Sequence, residues 1–431
     1  MAGRKPFAKH VFNAISSLRL VACLTLAHRM TKDPARPALI LLLLFCVGLL
    51  GEVDYQMIPP LLPLLASTFG ITASDAARVV PVYSVASAVF SLLFGYLSDH
   101  FGRKLFIQAG LVCFSVICAS TFATNSFEAF LLARFLSGVT TGAIVTAATS
   151  YAADYFSYDR RGRAMGILST AYFAAAILGI PAATAVAGRW GWRPLFLGTA
   201  SVALICGALV WKFIQAETRA QIQVIDSRHR LSFSRIREVL GLCLRRRDTL
   251  SVLIASPLSS GAIVAFITFL SSHLITQQHV SVQQVGLVFL FCGLASLAGA
   301  PLSGIVADRW AKKPLLVLSG FVLAACVATV PRVGWGPGLF AALALSGLSI
   351  AFRMAPLLAI TTELVTPSER GTFLALRNAL SQLGIAASTL SASYLFSAWG
   401  YAWVGFFSAC LLTTSSVVIF LFVKEPQMKK S

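Results

Sequence analysis

Gly95-Tyr-Leu-Ser-Asp99-His-Phe-Gly102-Arg103-Lys104 lies between two apolar runs, Ala77–Leu97 and Leu105–Ala123. Each run is long enough to cross a bilayer. The stretch must therefore end one helix, reverse the chain and begin the next. Gly95 and Gly102 permit close packing and a tight turn. Arg103 and Lys104 place that turn on the cytoplasmic side. Asp99 needs a partner beyond the loop, either a helix N-terminus or a cation on a neighbouring helix.

The stretch returns 209 residues later as Gly304-Ile-Val-Ala-Asp308-Arg-Trp-Ala-Lys312-Lys313. At that offset Gly138 meets Gly347, Asp154 meets Glu363, Arg161 meets Arg370, and Trp190-Gly191 meets Trp399-Gly400. The register holds without a gap. The chain is a duplicated membrane domain, and its halves run parallel because both basic loops fall on one side.

Composition agrees. Of 431 residues, 57% are hydrophobic and 12% charged, which is the make-up of a polytopic membrane protein. The net charge of +19 raises nucleic acid as a partner, but the distribution excludes it. Nine Lys and Arg lie between Lys212 and Arg247 and seven before residue 37, while the opposite loops hold Arg189, Arg193 and Arg332. That is the positive-inside bias, with attraction to anionic lipid at the cytoplasmic face. Nine cysteines sit mostly inside apolar runs with no CxxC pair, so they read as core residues and no metal or other cofactor is expected.

The expected fold is all-α, with twelve transmembrane helices in two pseudo-symmetric six-helix bundles. Residues 1–37 form a basic extension that reads as a surface helix, with translation from Met30 as a second reading. The N-terminal bundle covers 38–214, a basic linker 215–249, the C-terminal bundle 250–423 and a tail 424–431. Phe233–Leu240 within the linker reads as another surface helix. Both termini are expected in the cytoplasm. No Walker-type phosphate loop occurs, so ATP hydrolysis is not expected.

These features resemble the major facilitator superfamily across nearly the whole chain. Gly95–Lys104 resembles the family loop G-x-L-x-D-x-x-G-R-[KR]. Arg134-Phe-Leu-Ser-Gly138 resembles its fourth-span R-x-x-x-G element, and Asp154 with Arg161-Gly162 resembles the acid and R-G pair of the next loop. Glu52–Pro63 and Gly191-Trp192-Arg193 look most like twelve-span drug and sugar-efflux proton antiporters. The fifth-span motif of such antiporters is only partly kept: Gly166 and Gly179 fit, Ala175 replaces a glycine, and Ile180 separates Gly179 from Pro181. The resemblance implies a monomeric inner-membrane secondary transporter of a small molecule, with no enzymatic activity. It further implies that Gly95, Asp99, Gly102, Arg103, Asp154 and Arg161, with Asp308, Lys312, Glu363 and Arg370 in the second half, act as gating latches. Those latches would hold the bundles outward-facing until broken.

Ionisable groups at membrane depth are candidate functional residues by default. Glu52 and Asp54 lie past the midplane of the first span, and the repeat places Gly261 and Ile263 opposite them. Arg134 enters the fourth span at the depth of Asp54, so an ion pair between the two is geometrically allowed. A desolvated carboxylate resists ionisation, whereas a cation beside it favours the charged form. Protons and substrate would then compete for one charge, which is antiport; a static structural pair is the other reading. Arg353 lies mid-span in the tenth helix and suits an anionic substrate or helix-end carbonyls. Arg377 is either a second substrate contact or a partner of Glu363. Tyr55, with Tyr83, Tyr151, Tyr172, Phe266 and Phe352, is a candidate for an amphiphile site. Proton-coupled export of a small amphiphile is the leading expectation. Uptake of an anionic metabolite and a non-transporting receptor or assembly subunit are the alternatives.

Overall fold

The computed structural model describes residues 35–216, 241, 246–310, 312–366 and 369–423. Most of the N-terminal extension, nearly all of the linker with its Phe233–Leu240 segment, and the tail lie outside these residues. Contacts divide the chain into a short unit, residues 1–43, and a large one, Leu44–Ser431, which holds the helix packing described below.

The first span is broken into α1, Ala35–Gln56, and α2, Ile58–Phe69. Pro59 and Pro60 cannot donate backbone hydrogen bonds, so a new helix starts at their N-terminal side. The second span is α3, Ala73–Ala76, followed by α4, Val79–Phe101. The third and fourth are α5, Arg103–Phe122, and α6, Phe127–Tyr155. The fifth is built from α7, Tyr158–Ser169, α8, Ala171–Ala174, a π-turn at Ala175–Gly179, and α9, Ile180–Trp190. The sixth is α10, Arg193–Phe213. The second half runs α11, Arg247–Gln278; α12, Val282–Trp310; α13, Lys312–Thr329; α14, Pro337–Glu363; α15, Arg370–Trp399; and α16, Tyr401–Phe422.

Eleven spans among the described residues are long and apolar enough to cross a membrane. The remaining one, α15, has 30 residues, about 45 Å at 1.5 Å per residue. Arg370, Arg377, Asn378, Ser381 and Gln382 crowd its first half. Length admits it as a span, and polarity sets it apart.

The duplication is visible in geometry. Gly102, with φ +100°, ends α4 and starts α5. Gly191 and Gly400, 209 residues apart, stop the fifth and eleventh spans with φ +79° and +82°. In the first half α4 packs on α6, and in the second α12 packs on α14. At those contacts a Cβ on Gly138 would overlap the Tyr83 carbonyl oxygen, and one on Gly347 would overlap the Cys292 carbonyl oxygen. Cys292 is the repeat counterpart of Tyr83. Gly138→Ala and Gly347→Ala are each expected to cost about 1–3 kcal/mol through overpacking. Gly162→Ala has open space around it and is expected to change stability little. Thermal unfolding of the three purified variants checks the contrast.

The halves meet through α4 with α15, α9 with α12, and α2 with α11. Ser74 Oγ donates to the Ser393 carbonyl at 3.1 Å, and Ser393 Oγ donates back to the Ser74 carbonyl at 2.8 Å. Ser271 Oγ donates to the Pro59 carbonyl. All three bonds lie at the end remote from the Gly95–Lys104 turn, since Ser74 and Phe101 flank the two ends of α4. Near this end Phe69, Phe130, Trp192 and Phe196 also pack ring on ring at centroid separations of 5.3–5.8 Å, tying α2, α6 and α10 together.

Candidate functional site

Asp54 stands in the last turn of α1, and Arg134 stands in the second turn of α6. Arg134 Nη1 donates to both carboxylate oxygens of Asp54, at 2.8 and 3.0 Å, while Nη2 reaches the Asp54 carbonyl at 3.4 Å. Asp54 is 0% exposed and Arg134 1%. An ion pair so enclosed survives because each charge neutralises the other. The Arg134 guanidinium also lies 4.8 Å from the centroid of Tyr83, and Tyr83 stacks on Tyr55 at 5.2 Å. The first, second and fourth spans thus converge on one charge pair capped by two aromatic rings. Tyr55 Oη, Ser84 Oγ, Thr141 Oγ1 and Arg134 Nε are buried with no hydrogen-bond partner of normal geometry.

Glu52, two residues earlier, points elsewhere, as a 200° separation on a helix requires. Its Oε2 accepts from Gln56 Nε2 at 3.1 Å, and the same amide nitrogen donates to the Tyr172 carbonyl at 3.0 Å. No cation pairs with Glu52 among the described residues. Gln56 is the residue that charge-based reading of the sequence overlooks; its place one turn after Glu52 is the signal. Tyr172 sits in the irregular part of the fifth span, just before the π-turn. Pro181 lacks an N–H, so the carbonyl four residues earlier loses its helical partner and the turn widens. Close approach is also built in. A Cβ on Gly179 would lie 2.6 Å from Val53 Cγ2, and one on Gly51 would lie 2.9 Å from Thr141 Cγ2.

Among the described residues the second half contains no matching pair. Arg353 is 2% exposed. Its Nε donates to Ser259 Oγ at 2.6 Å, Nη1 to the Leu316 carbonyl and Ser416 Oγ at 3.2 Å each, and Nη2 to Ser415 Oγ at 2.5 Å. Neutral oxygens from α11, α13 and α16 therefore enclose it. Arg377 donates to Asn378 Oδ1 at 3.2 Å and to Thr361 Oγ1 at 3.5 Å. Its expected pair with Glu363 is not formed, because Lys312 takes that carboxylate.

Arg103 pairs with Asp99 at 2.8 Å and with Asp154, and donates to the Ser150 carbonyl at 2.5 Å. The pairs Arg103–Asp154 and Lys312–Glu363 stand at equivalent repeat positions. Each closes within one half, bracing the start of α5 against the end of α6, or α13 against α14. The three hydrogen bonds between halves described above lie at the other end. Gly95 is buried in α4 and Arg161 is exposed. Arg370 has its Nε buried without a partner, and the side chain of Asp308 lies outside the described set. No group of three or more His, Cys, Asp or Glu able to hold a metal occurs among the described residues.

The Major Facilitator Superfamily family model matches residues 44–336 and 252–431. The chain is 26% identical over 361 residues to "Uncharacterized MFS-type transporter YceJ" of Bacillus subtilis (strain 168), covering 82% of this chain and 88% of that protein. It is 28% identical over 271 residues to "Multidrug resistance protein MdtG" of Citrobacter koseri, covering 61% of this chain and 65% of that one. The chain therefore spans just under two thirds of the MdtG relative. Among solved structures, a D-xylose–proton symporter superposes with a TM-score of 0.72 at 17% identity, over 90% of this chain and 98% of that one. A bacterial homologue of the human lysosomal transporter Spinster, inward-facing and occupied, gives 0.70 at 15% identity over 90% and 97%.

Proposed function

Because this chain belongs to the Major Facilitator Superfamily, and is thus a multi-pass membrane transporter of small molecules, we propose that it exports an amphiphilic or drug-like compound in exchange for protons. The observation that carries this reading is the Asp54–Arg134 pair, buried where the first, second and fourth spans meet. Protonating Asp54 would cancel its charge and free the Arg134 guanidinium. Four buried polar atoms around the pair make no hydrogen bond of normal geometry among the described residues, so alternative hydrogen bonds are at hand. Glu52, carrying no cation, is placed to receive a positively charged group of the cargo beside Tyr55 and Tyr172. The multidrug-resistance name of the MdtG relatives supports efflux.

On this reading the protein works as a monomer in the inner membrane, its termini and basic loops facing the cytoplasm and anionic lipid. The Arg103–Asp154 and Lys312–Glu363 braces keep each half rigid while the halves rock, with Asp99, Asp308, Arg161 and Arg370 at the same rim. Uptake of an anionic metabolite leans on Arg353 and Arg377. Arg353 is already enclosed by serine hydroxyls, so that reading has less support.

The test uses purified protein in liposomes with a trapped pH dye and a panel of cationic drugs, sugars and carboxylates. Asp54→Asn is expected to lower compound-driven proton movement at least about tenfold, since the titrating group is gone. Glu52→Gln is expected to raise the KM for cationic compounds while proton movement with neutral ones persists. Proton flux unchanged in Asp54→Asn would refute the switch.

A further inference from the structure

Arg370, Arg377 and Ser381 of α15 lie within about 20° of one line down the helix, at 3.6 residues per turn. Their repeat counterparts in the fifth span are Arg161, Leu168 and Tyr172, so Arg377 and Ser381 are polar in the second half alone. Three donors on this line, Nε of both arginines and the Ser381 hydroxyl, are buried. They make no hydrogen bond of normal geometry among the described residues. Gln382 Oε1 is also unbonded, but it is an acceptor and lies about 100° round the helix from Ser381.

The charge on this face is unmatched as well. Among the described residues no carboxylate pairs with Arg370 or Arg377. Glu363 is held by Lys312, and Glu369 accepts from the Thr366 amide and hydroxyl at 3.1 and 2.7 Å. Arg353 shows how neutral groups can enclose a cation, with four hydrogen bonds. Arg377 makes two, and the one to Thr361 is stretched to 3.5 Å. It stands about 10 Å beyond Arg370, where an uncompensated charge is costly. Long side chains on a helix lean toward its N-terminus, which brings the Arg377 guanidinium toward Arg370. The approach is open. A Cβ on Gly371 would meet nothing within 4 Å, whereas one on Gly384 would lie 2.5 Å from Pro257 Cβ. The first turn of α15 thus has free space beside it, and its middle is packed.

We infer that the first half of the eleventh span carries a binding site for an oxyanion, a carboxylate or phosphate group, held by Arg377 and Ser381 and completed by Arg370. A guanidinium takes such a group through paired, charge-assisted hydrogen bonds, which supply both the acceptors and the charge missing here. The oxyanion belongs either to a free small molecule or to the headgroup of an anionic lipid. The site is separate from Arg353 and independent of the Asp54–Arg134 pair and of the direction of transport.

The full chain in nanodiscs is treated with phenylglyoxal, which condenses with accessible guanidinium groups, and modified arginines are mapped by mass spectrometry. In phosphatidylcholine discs Arg370 and Arg377 are expected to react. Added inorganic phosphate, or phosphatidylglycerol in the disc, is expected to slow both at least about fivefold, the protection given by a ligand at roughly four times its Kd. Protection by phosphate marks a free anion as occupant, and protection by phosphatidylglycerol alone marks a headgroup. Arg189, exposed at the other end of the fifth span, is expected to be unaffected. Arg377→Gln is expected to abolish the protection of Arg370, because the two hold one ion. Ser381→Ala, a milder change, is expected to weaken the protection of Arg377 several-fold. Arginines that never react, reaction that neither anion slows more than that of Arg189, or protection of Arg370 that persists in Arg377→Gln would overturn the site.

Discussion

Asp54→Ala is expected to destabilise the purified protein by about 3–5 kcal/mol, the usual cost of leaving one member of a buried ion pair alone. Arg134 would remain enclosed at 1% exposure, holding only the Asp54 backbone carbonyl and the face of Tyr83. Arg134→Ala is expected to cost a similar amount by stranding the carboxylate. Asp54→Leu combined with Arg134→Met removes both charges at nearly constant volume, and is expected to be close to neutral. Reversible unfolding of the two single variants and the double variant measures the coupling. Strictly additive costs would show that the charges do not act as a pair.

Ser74→Cys combined with Ser393→Cys is expected to give the largest effect on transport. In the native protein each of these serines hydrogen-bonds the backbone carbonyl of the other, so a disulfide or a short bifunctional thiol reagent should bridge the two cysteines. Cross-linking across the seam between α3 and α15 would fix this end shut and cut transport at least about tenfold, with recovery on reduction. The single-cysteine variants, treated identically, control for the nine native cysteines. A cross-linked protein that still transports would show that the seam need not open.

The residues legible beforehand were those whose side chains carry charge or fix the backbone. One gapless offset revealed the duplication, and its glycines recur with matching backbone angles at Gly191 and Gly400. Depth along two helices allowed Asp54 and Arg134 to meet, and they do. Hydroxyl chemistry was silent: Ser259, Ser415 and Ser416 look like any small residues of a membrane helix until Arg353 gathers them. Competition for a partner was equally hidden, since Glu363 has two cations within reach in sequence terms and Lys312 wins it. The break at Met57 had a written cause in Pro59 and Pro60, and the π-turn had one in Pro181. The charged residues of the rim were recognisable as residues, but which helices they join depends on the fold.

The seam between the halves is uncharged at every described hydrogen bond. Three neutral hydrogen bonds contribute about 0.5–1.5 kcal/mol each, and neutral groups are not weakened by dissolved salt as exposed charge pairs are. Ionic strength should therefore weaken the part-exposed Lys312–Glu363 pair more than the buried Arg103 pairs, and leave the serine seam untouched. Hydrogen bonds of that size are matched by modest selectivity: a cargo preferring the opened form about a hundredfold supplies roughly 2.7 kcal/mol. The balance between the two faces is then set by what binds rather than by the medium.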